Sequence, residues 1–478
     1  MSENIKKDTL KGVKWTAIEK VALQGIQFVI GLIFARLLTP SDFGLVGMLA
    51  IFISVSQTFV DGGFSNALIR KLNRTDTDCS TAFYFNIVVG LVCYGLLFIA
   101  SPWIAAFFNI PVLKDLLRVL SISIFVNSLS VVQVAKLTVD INFKAQARAT
   151  VCSVVLSGCV GIFMAYKGFG VWSLAWQTVF GAIFNCIILW YQTKWKPKVV
   201  FSMNSFRNLF SYGSKLLVSN LIGTLYSNMT TIAIGKFYTS KELGFYSRGQ
   251  QFAHLPSTAI IDTIGRVTFP ILAKIQNDDE RLVSVYRKYI KVTSLPIIFC
   301  LTLLASVAKP LILVLLTEKW LDATLFLQIF CFAFMTEHIS KLNLNLLQVK
   351  GRSDLYLRLE VIKKIIAFII LLSSIPLGVV VICLSKVLNG QVALFINTYY
   401  TGKLFGLGYF KQFTDFIKYM VMSLLSCIPA FALTFTDIYP ALQLAIGTIT
   451  ASLLYYCLLR NDTIKIELRD MILSKIKK

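Results

Sequence analysis

Cationic and amide side chains recur at helical spacing inside apolar segments of this sequence. The first such segment carries Lys20, Gln24 and Gln27, with Gly31 in register. The second carries Ser54, Gln57, Asp61 and Ser65. A third set is Lys215, Ser219, Gly223 and Tyr226. The richest is Ser247, Gln251, His254, Thr258, Asp262 and Arg266, with Arg248 beside it. Lys386, Asn389 and Asn397 form a fifth. Residues three or four apart share one face of a helix, so each set reads as a polar stripe. Converging stripes would line a cleft rich in cations and in hydroxyl and amide donors, which suits an anionic, polyhydroxylated ligand. On that reading Lys20, Gln24, Gln27, Gln57, Lys215, Arg248, Gln251, His254, Arg266 and Lys386 touch the ligand. Asp61 and Asp262 are candidates for a coupling ion, proton or sodium, or for pairing with nearby cations; Asp262 and Arg266 lie one turn apart.

Each position also has a plainer reading. Lys20 and Lys215 lie near a segment end, where the long stem carries the ammonium to the headgroups. Arg248 sits near the outer end of its segment, as an interfacial residue would, and His254 reads as a packed polar side chain. Glu360 and Lys364 are spaced to pair along one helix, leaving Lys363 to snorkel. A cation at a helix centre costs about 2.5–3.5 kcal/mol to insert. The convergence of several stripes therefore weighs more than any single residue.

The elements that must position these stripes are membrane-spanning helices. The chain has 478 residues, 56% of them hydrophobic and 15% charged, where a soluble chain carries about 25% charged residues. A span needs about 20 mostly apolar residues, and about 14 such segments run from 14–37 to 439–459. The weakest is 322–347, which holds Glu337, His338, Lys341, Asn343 and Asn345. The first apolar stretch is too long for a signal-peptide core of about 7–15 residues and has no small-residue cleavage site after it, so it reads as the first span. The ten cysteines fall almost entirely in apolar runs without Cys-x-x-Cys and read as small buried hydrophobes, and with only two histidines no metal site is expected.

The net charge of +23 would suggest nucleic acid in a soluble protein. Here about 32 of the 47 cations fall in one alternating set of ends and loops, such as Lys6–Lys14, Arg70–Arg74, Lys194–Lys198 and the stretch after Leu459. Cations favour the cytoplasmic side, so both termini are expected in the cytoplasm and no nucleic-acid partner is needed.

An internal repeat organises the segments. Arg36-Leu-Leu-Thr39-Pro-Ser-Asp42-Phe-Gly44 joins the first two, and Lys236-Phe-Tyr-Thr239-Ser-Lys-Glu242-Leu-Gly244 joins the seventh and eighth, about 200 residues on. Gly168-Phe-Gly170-Val171 matches Pro376-Leu-Gly378-Val379, and Pro102 matches Pro310, at an offset of about 208. The expectation is an all-α integral membrane protein of about 14 transmembrane helices. It divides into two pseudo-symmetric six-helix bundles, 1–200 and 201–405, and a 406–478 region of two extra helices with a basic tail. Parallel repeats of this kind mark transporters, with the substrate site between the halves. Nucleotide chemistry is absent: Gly235-Lys236 and Gly402-Lys403 lack the rest of a P-loop. No outer loop is long enough for a catalytic domain, which argues against a membrane polymerase or glycosyltransferase. The chain is expected to be no enzyme and to need no cofactor beyond a coupling ion.

Ala35-Arg-Leu-Leu-Thr-Pro-Ser-Asp-Phe-Gly-Leu-Val, Asp61-Gly-Gly-Phe-Ser-Asn-Ala-Leu-Ile, Glu242-Leu-Gly-Phe-Tyr-Ser-Arg248-Gly-Gln-Gln, Phe269-Pro-Ile-Leu-Ala-Lys-Ile-Gln and Leu315-Leu-Thr-Glu318-Lys-Trp320 stand in order along the chain. Over about the first 400 residues the sequence resembles bacterial polysaccharide flippases of the colanic-acid exporter type, in the multidrug/oligosaccharidyl-lipid/polysaccharide exporter superfamily. The resemblance implies a V-shaped, MATE-like pair of bundles in the bacterial inner membrane. It implies an undecaprenyl-diphosphate-linked oligosaccharide flipped to the periplasmic leaflet by alternating access through a cationic central cavity. The diphosphate would sit on the cations, the sugars among the amides and hydroxyls, and the lipid tail in a lateral gap. Expected partners are that lipid-linked oligosaccharide, membrane lipids and the polymerase and export machinery of polysaccharide and lipopolysaccharide biosynthesis. The rivals are a multidrug or organic-cation antiporter, which would want an acidic cavity, a peptidoglycan-precursor flippase and, least favoured, a channel. Lys20→Ala and Arg266→Ala are expected to impair polysaccharide export while membrane insertion, read by fractionation, stays intact. Normal export in both variants would remove the cationic-cavity mechanism.

Overall fold

The run Thr39-Pro40-Ser41-Asp42 starts a helix by closing a capping box. The Thr39 hydroxyl accepts from the Asp42 N–H at 3.4 Å, and the Asp42 carboxylate accepts from the Thr39 N–H at 2.9 Å. Two orphan backbone donors are thereby satisfied, with Pro40 at the first position, where its missing N–H costs nothing. Thr239 and Glu242 close the same box 200 residues later, at 2.9 and 3.2 Å. The repeat seen in the sequence is thus a repeated helix start.

The computed structural model describes residues 22–467, with 258–267 as backbone alone. Lys20 lies outside the described residues, and so do the side chains of Thr258, Asp262 and Arg266. Two compact units are present, Met1–Gly244 and Phe245–Lys478. The first holds α1 (Ala22–Leu37), α2 (Pro40–Asp61), α3 (Phe64–Arg70), α4 (Asp76–Phe108), α5 (Val112–Ser128), α6 (Val131–Val139), α7 (Phe143–Tyr166), α8 (Val171–Thr193) and α9 (Met203–Phe237). Helix α10 (Ser240–Lys274) begins in the first unit and continues in the second. The second adds α11 (Asp279–Ser306), α12 (Ala308–Leu315), α13 (Ala323–Phe334), α14 (Glu337–Val349), α15 (Ser353–Ser374), α16 (Val379–Phe405), α17 (Tyr409–Leu433) and α18 (Pro440–Leu458).

Among the described residues nine helical stretches are long and apolar enough to cross a membrane, ten if the bent pair α5–α6 is one span. Helices α9, α10 and α15 are long enough, at 35, 35 and 22 residues, but more polar. With these three and α1 the fold is compatible with 14 spans. Leu96, Ile99 and Leu453 are 62%, 63% and 60% exposed. Large apolar faces turned outward in this way suit lipid rather than water.

Three segments read as single helices are interrupted. The stretch 43–69 breaks at Gly62 and Gly63, whose φ values of 42° and 71° are left-handed; 115–136 breaks between Ser128 and Val131 with a 40° bend; and 322–347 breaks between Phe334 and Glu337. Apolar length alone does not reveal such breaks, because the residues on either side keep the hydrophobic pattern. The expected Glu360–Lys364 pair is also replaced. Lys363 donates to Glu360 at 2.5 Å, since a residue three positions on lies as close on a helix surface as one four positions on. All ten cysteines are free thiols, and Cys152, Cys159 and Cys457 are exposed rather than buried.

The two repeated turns touch. A Cβ on Gly44 would lie 1.7 Å from the Ser240 carbonyl oxygen, and one on Gly244 would lie 2.0 Å from that of Pro40. Ser41 and Ser240 share a hydroxyl hydrogen bond of 2.5 Å. Only glycine permits this approach from both sides. Further along α2, Thr58 meets Thr224 of α9 at 3.1 Å, and a Cβ on Gly63 would meet the Gly213 carbonyl oxygen at 2.5 Å.

The last two helices are fixed to α11 by charge and amide contacts. Arg287 holds Asp415 through two bonds of 2.8 Å, with Lys291 at 3.4 Å. Asn343 and Gln412 exchange hydrogen bonds of 2.8 and 2.9 Å, and Gln412 also accepts from Tyr286. Beyond α18, Asp462 accepts from Lys418 at 2.6 Å and from the N–H groups of Ile464 and Lys465. Burial pushes the Asp462 carboxyl up, but the Lys418 ammonium and those N–H groups outweigh it and hold the group below the usual aspartate range.

Two outcomes are expected. Gly44→Val or Gly244→Val should destabilise by at least about 1–3 kcal/mol, the cost of overpacking; Gly25→Ala, which meets nothing within 4 Å, should leave the melting temperature nearly unchanged. Because the Asp462 value is depressed in the fold, its stabilisation is present at neutral pH and is lost as pH falls below about 4. Melting temperatures between pH 7 and 3 should drop less steeply on the acid side in Asp462→Asn than in the parent.

Candidate functional site

An intramembrane amide or carboxylate needs partners or water, because hydrocarbon supplies neither. In the first unit such groups gather around a cavity of about 480 Å³. Helix α2 contributes Gln57 and Asp61, α3 contributes Ser65 and Asn66, and α5 contributes Asn127. Ser130 comes from the α5–α6 break, Asn185 from α8 and Asn220 from α9. Both helix interruptions of this unit border it: Gly63 stands on the wall at the α2–α3 break, Ser130 and Val131 at the other.

The polar groups form an oriented chain. Asn127 Nδ2 donates to Gln57 Oε1 at 3.1 Å, and Gln57 Nε2 donates to Asp61 Oδ1 at 3.1 Å. The carbonyl freed at Leu129 by the helix break takes the Trp190 indole N–H at 2.9 Å. Asn185 Oδ1 is buried without a hydrogen-bond partner. No Lys or Arg is among the lining residues, and Asp61 has no ion pair among the described residues.

The sequence stripes are therefore brought together in part. Gln57 and Asp61 share the cavity. Gln24 is partly buried and Gln27 exposed on α1, and neither lines it. Lys215 is exposed on α9, two residues beyond the Gly213 contact, and is not on the wall. The other named residues stand in the second unit. Arg248, expected to touch the ligand or else to sit at an interface, is 7% exposed. Its Nη1 donates to Gln251 at 2.6 Å and its guanidinium lies 5.8 Å from the Trp320 ring centre. It is buried because α10 runs hard against α13, where a Cβ on Gly249 would meet the Leu327 nitrogen at 2.7 Å. His254 is exposed, with its ring 5.3 Å from that of Phe334. Lys386 is partly buried on α16 with no ion pair among the described residues. The buried histidine is His338, which shares a 2.9 Å hydrogen bond with Ser294.

Sequence reasoning missed Asn66, Asn127, Asn185 and Asn220. Each is an amide inside or beside an apolar segment, which is itself a signal, but none falls on the stripes drawn from cations. Of the motifs that carry the family resemblance, the one that begins at Asp61 supplies Asp61, Gly63, Ser65 and Asn66 to the wall, whereas others are structural. Thr39, Asp42 and Gly44 build a turn, and Trp320 is fully buried against Phe245 at 6.2 Å.

A second cavity, of about 350 Å³, lies in the second unit among α11, α13 and α17 and is almost wholly apolar, with Phe332, Leu424, Ile428 and Phe431 on its wall. Among the described residues no cluster of His, Cys, Asp and Glu is placed to hold a metal ion.

Comparison with known proteins adds the lineage. The family model described as "Polysaccharide biosynthesis protein" matches residues 33–325. The teichuronic acid biosynthesis protein TuaB of Bacillus subtilis (strain 168) is 28% identical over 357 residues, 74% of this chain and 73% of that protein. The lipopolysaccharide biosynthesis protein WzxC of Escherichia coli (strain K12) is 24% identical over 366 residues, 75% of this chain and 74% of that one. Among solved structures, the lipid II flippase MurJ in an inward closed conformation superposes with a TM-score of 0.75 at 14% identity, covering 94% of this chain and 99% of that one. An inward-facing multidrug resistance MATE family transporter of the MOP superfamily gives 0.58 at 16% identity, over 81% and 97%. At such identities these likenesses show the fold alone. A multi-pass helical membrane chain with this fold, matched from residue 33 to residue 325 by the family model, belongs to the polysaccharide biosynthesis protein family.

Proposed function

We propose that this protein flips an undecaprenyl-diphosphate-linked oligosaccharide across the bacterial inner membrane for polysaccharide biosynthesis. The observation that carries the reading is the amide-lined cavity inside an otherwise apolar helical unit, in a chain of this family. An apolar transporter cargo would need no such wall, and a small ion would need far less of it. The fold shared with a lipid II flippase supports alternating access as the means.

The finer parts of the reading follow from charge. Both termini face the cytoplasm, where the cation-rich loops lie. The repeats act as two six-helix bundles, 1–200 and 201–405, that move about the cargo, with 406–478 as an appended pair of helices. Lys20, Lys215, Arg248, Arg266 and Lys386 meet the diphosphate. Lys386, without an ion pair among the described residues and within an apolar helix, is the position where an anion would be most welcome. Gln24, Gln27, Gln251 and His254, outside the cavity of the first unit, contact the sugars, and Asp61 and Asp262 bind the coupling ion, proton or sodium. The polymerase that receives the cargo is the natural partner.

One observation favours a second reading. Among the described residues the polar cavity of the first unit carries a carboxylate and no cation, as a site for an organic cation would. The two readings part in a direct binding measurement. The protein, in lipid nanodiscs, is titrated with an undecaprenyl-diphosphate oligosaccharide and with tetraphenylphosphonium at low and high salt. The expected result is salt-sensitive binding of the diphosphate lipid alone, weakened at least tenfold in Lys386→Ala. Binding of the phosphonium alone would replace the flippase with a drug antiporter.

A further inference from the structure

The cavity of the first unit does not have the chemistry of a diphosphate site. Its polar wall is made of Gln57, Asp61, Asn66, Asn127, Asn185 and Asn220 with two serine hydroxyls, and among the described residues neither a cation nor an aromatic ring is on it. A phosphate brought here would meet a carboxylate and, among the described residues, no compensating charge. Amides, by contrast, both donate and accept, and an ionised carboxylate accepts only. That combination matches vicinal hydroxyls and acetamido groups, which need donors and acceptors side by side.

Two further observations point to a ligand. The Asn185 oxygen is buried with no donor, although buried acceptors are ordinarily satisfied. Asn185 itself is on the cavity wall, so a ligand that shifts its amide can supply the missing donor. The other is backbone. Both helix interruptions of the unit, at Gly62–Gly63 and between Ser128 and Val131, open onto this one cavity. Broken helices within a membrane are tolerated where they line a wet cavity, and in transporters they mark binding sites. The volume of about 480 Å³ falls within the range of small-molecule sites, roughly 300–1,000 Å³, and is many times the roughly 30 Å³ share of one water.

We propose that this cavity reads one uncharged sugar of the carried oligosaccharide through its amides, and that Asp61 rejects a uronic acid at that position. The Asn127–Gln57–Asp61 chain holds the carboxylate in place, and in the state that carries no coupling ion Asp61 Oδ2 is left to accept from sugar hydroxyls. Asn185 and Asn220 reach the sugar from α8 and α9. The charge rule applies to the unit seated in the cavity, not to the whole repeat. The proposal rests on the flippase reading only in naming the sugar as part of a lipid-linked cargo.

The test uses the full chain in nanodiscs and three probes: chitobiose, which is uncharged and acetamido-bearing; digalacturonate, which is anionic; and undecaprenyl diphosphate, which has no sugar. Ligand-observed NMR reads the disaccharides even at weak affinity. Chitobiose is expected to bind the parent protein, and at least fivefold more weakly to Asn185→Ala and Asn220→Ala. The exposed Asn220 keeps the test independent of any folding defect at Asn185. Digalacturonate is expected to bind only Asp61→Asn. Equal chitobiose binding in the parent and both asparagine variants would overturn the proposal, and so would digalacturonate binding to the parent. If undecaprenyl diphosphate binds and chitobiose does not, the sugar site falls while the flippase reading stands. If chitobiose binds and undecaprenyl diphosphate does not, the sugar site stands and the flippase reading falls.

Discussion

A bilayer offers no hydrogen bonds, and that constraint organises this protein. A backbone crossing hydrocarbon must satisfy itself, so the described chain is helical. The same rule makes every interruption informative. Where α2 gives way to α3 and α5 to α6, backbone groups are freed, and both openings face one polar cavity in place of lipid. The carbonyl at Leu129 finds the Trp190 indole, and amide side chains take the remaining wall. Structure and site are therefore linked: the breaks exist because the cavity is polar, and the cavity is polar where the helices break.

Close backbone approach is the second organising feature. Gly44 and Gly244 each rest on the backbone of the other repeat's turn, within two capping boxes of the same design. Apolar side chains contribute little drive between helices that are already in lipid, so small residues that let backbones touch contribute the packing instead. The Thr39–Gly44 motif, useful for recognising the family, thus holds the frame. The cavity wall draws on residues inside and outside the family motifs: Asp61, Gly63, Ser65 and Asn66 belong to one of them, while Gln57, Asn127, Asn185 and Asn220 lie outside them.

Charge is distributed by role. In the second unit, Asp415 and Asp462 are nearly buried and each is met by a cation, which secures α17 and the segment after α18 against the rest. Such pairs position helices more than they stabilise them, since desolvation offsets much of the attraction. Lys386 has no such partner among the described residues, and Asp61 none in the cavity. Charges without counterions in an apolar setting are where function concentrates.

The sequence by itself determined the class of fold, because apolar length and the asymmetry of Lys and Arg are local quantities that need no contact to be read. It also determined the repeat, since Thr39-x-x-Asp42 and Thr239-x-x-Glu242 are helix starts written in consecutive residues. It brought Gln57 and Asp61 forward, as neighbours on one helix face. Only the tertiary structure decided which stripes meet. Asn127, Asn185 and Asn220 come from three helices far apart in sequence, and no periodicity within any one of them shows that they face a shared space. The way the breaks in α2–α3 and α5–α6 open onto one cavity and the burial of Arg248 likewise depend on other helices, which a pattern of one helix at a time does not contain.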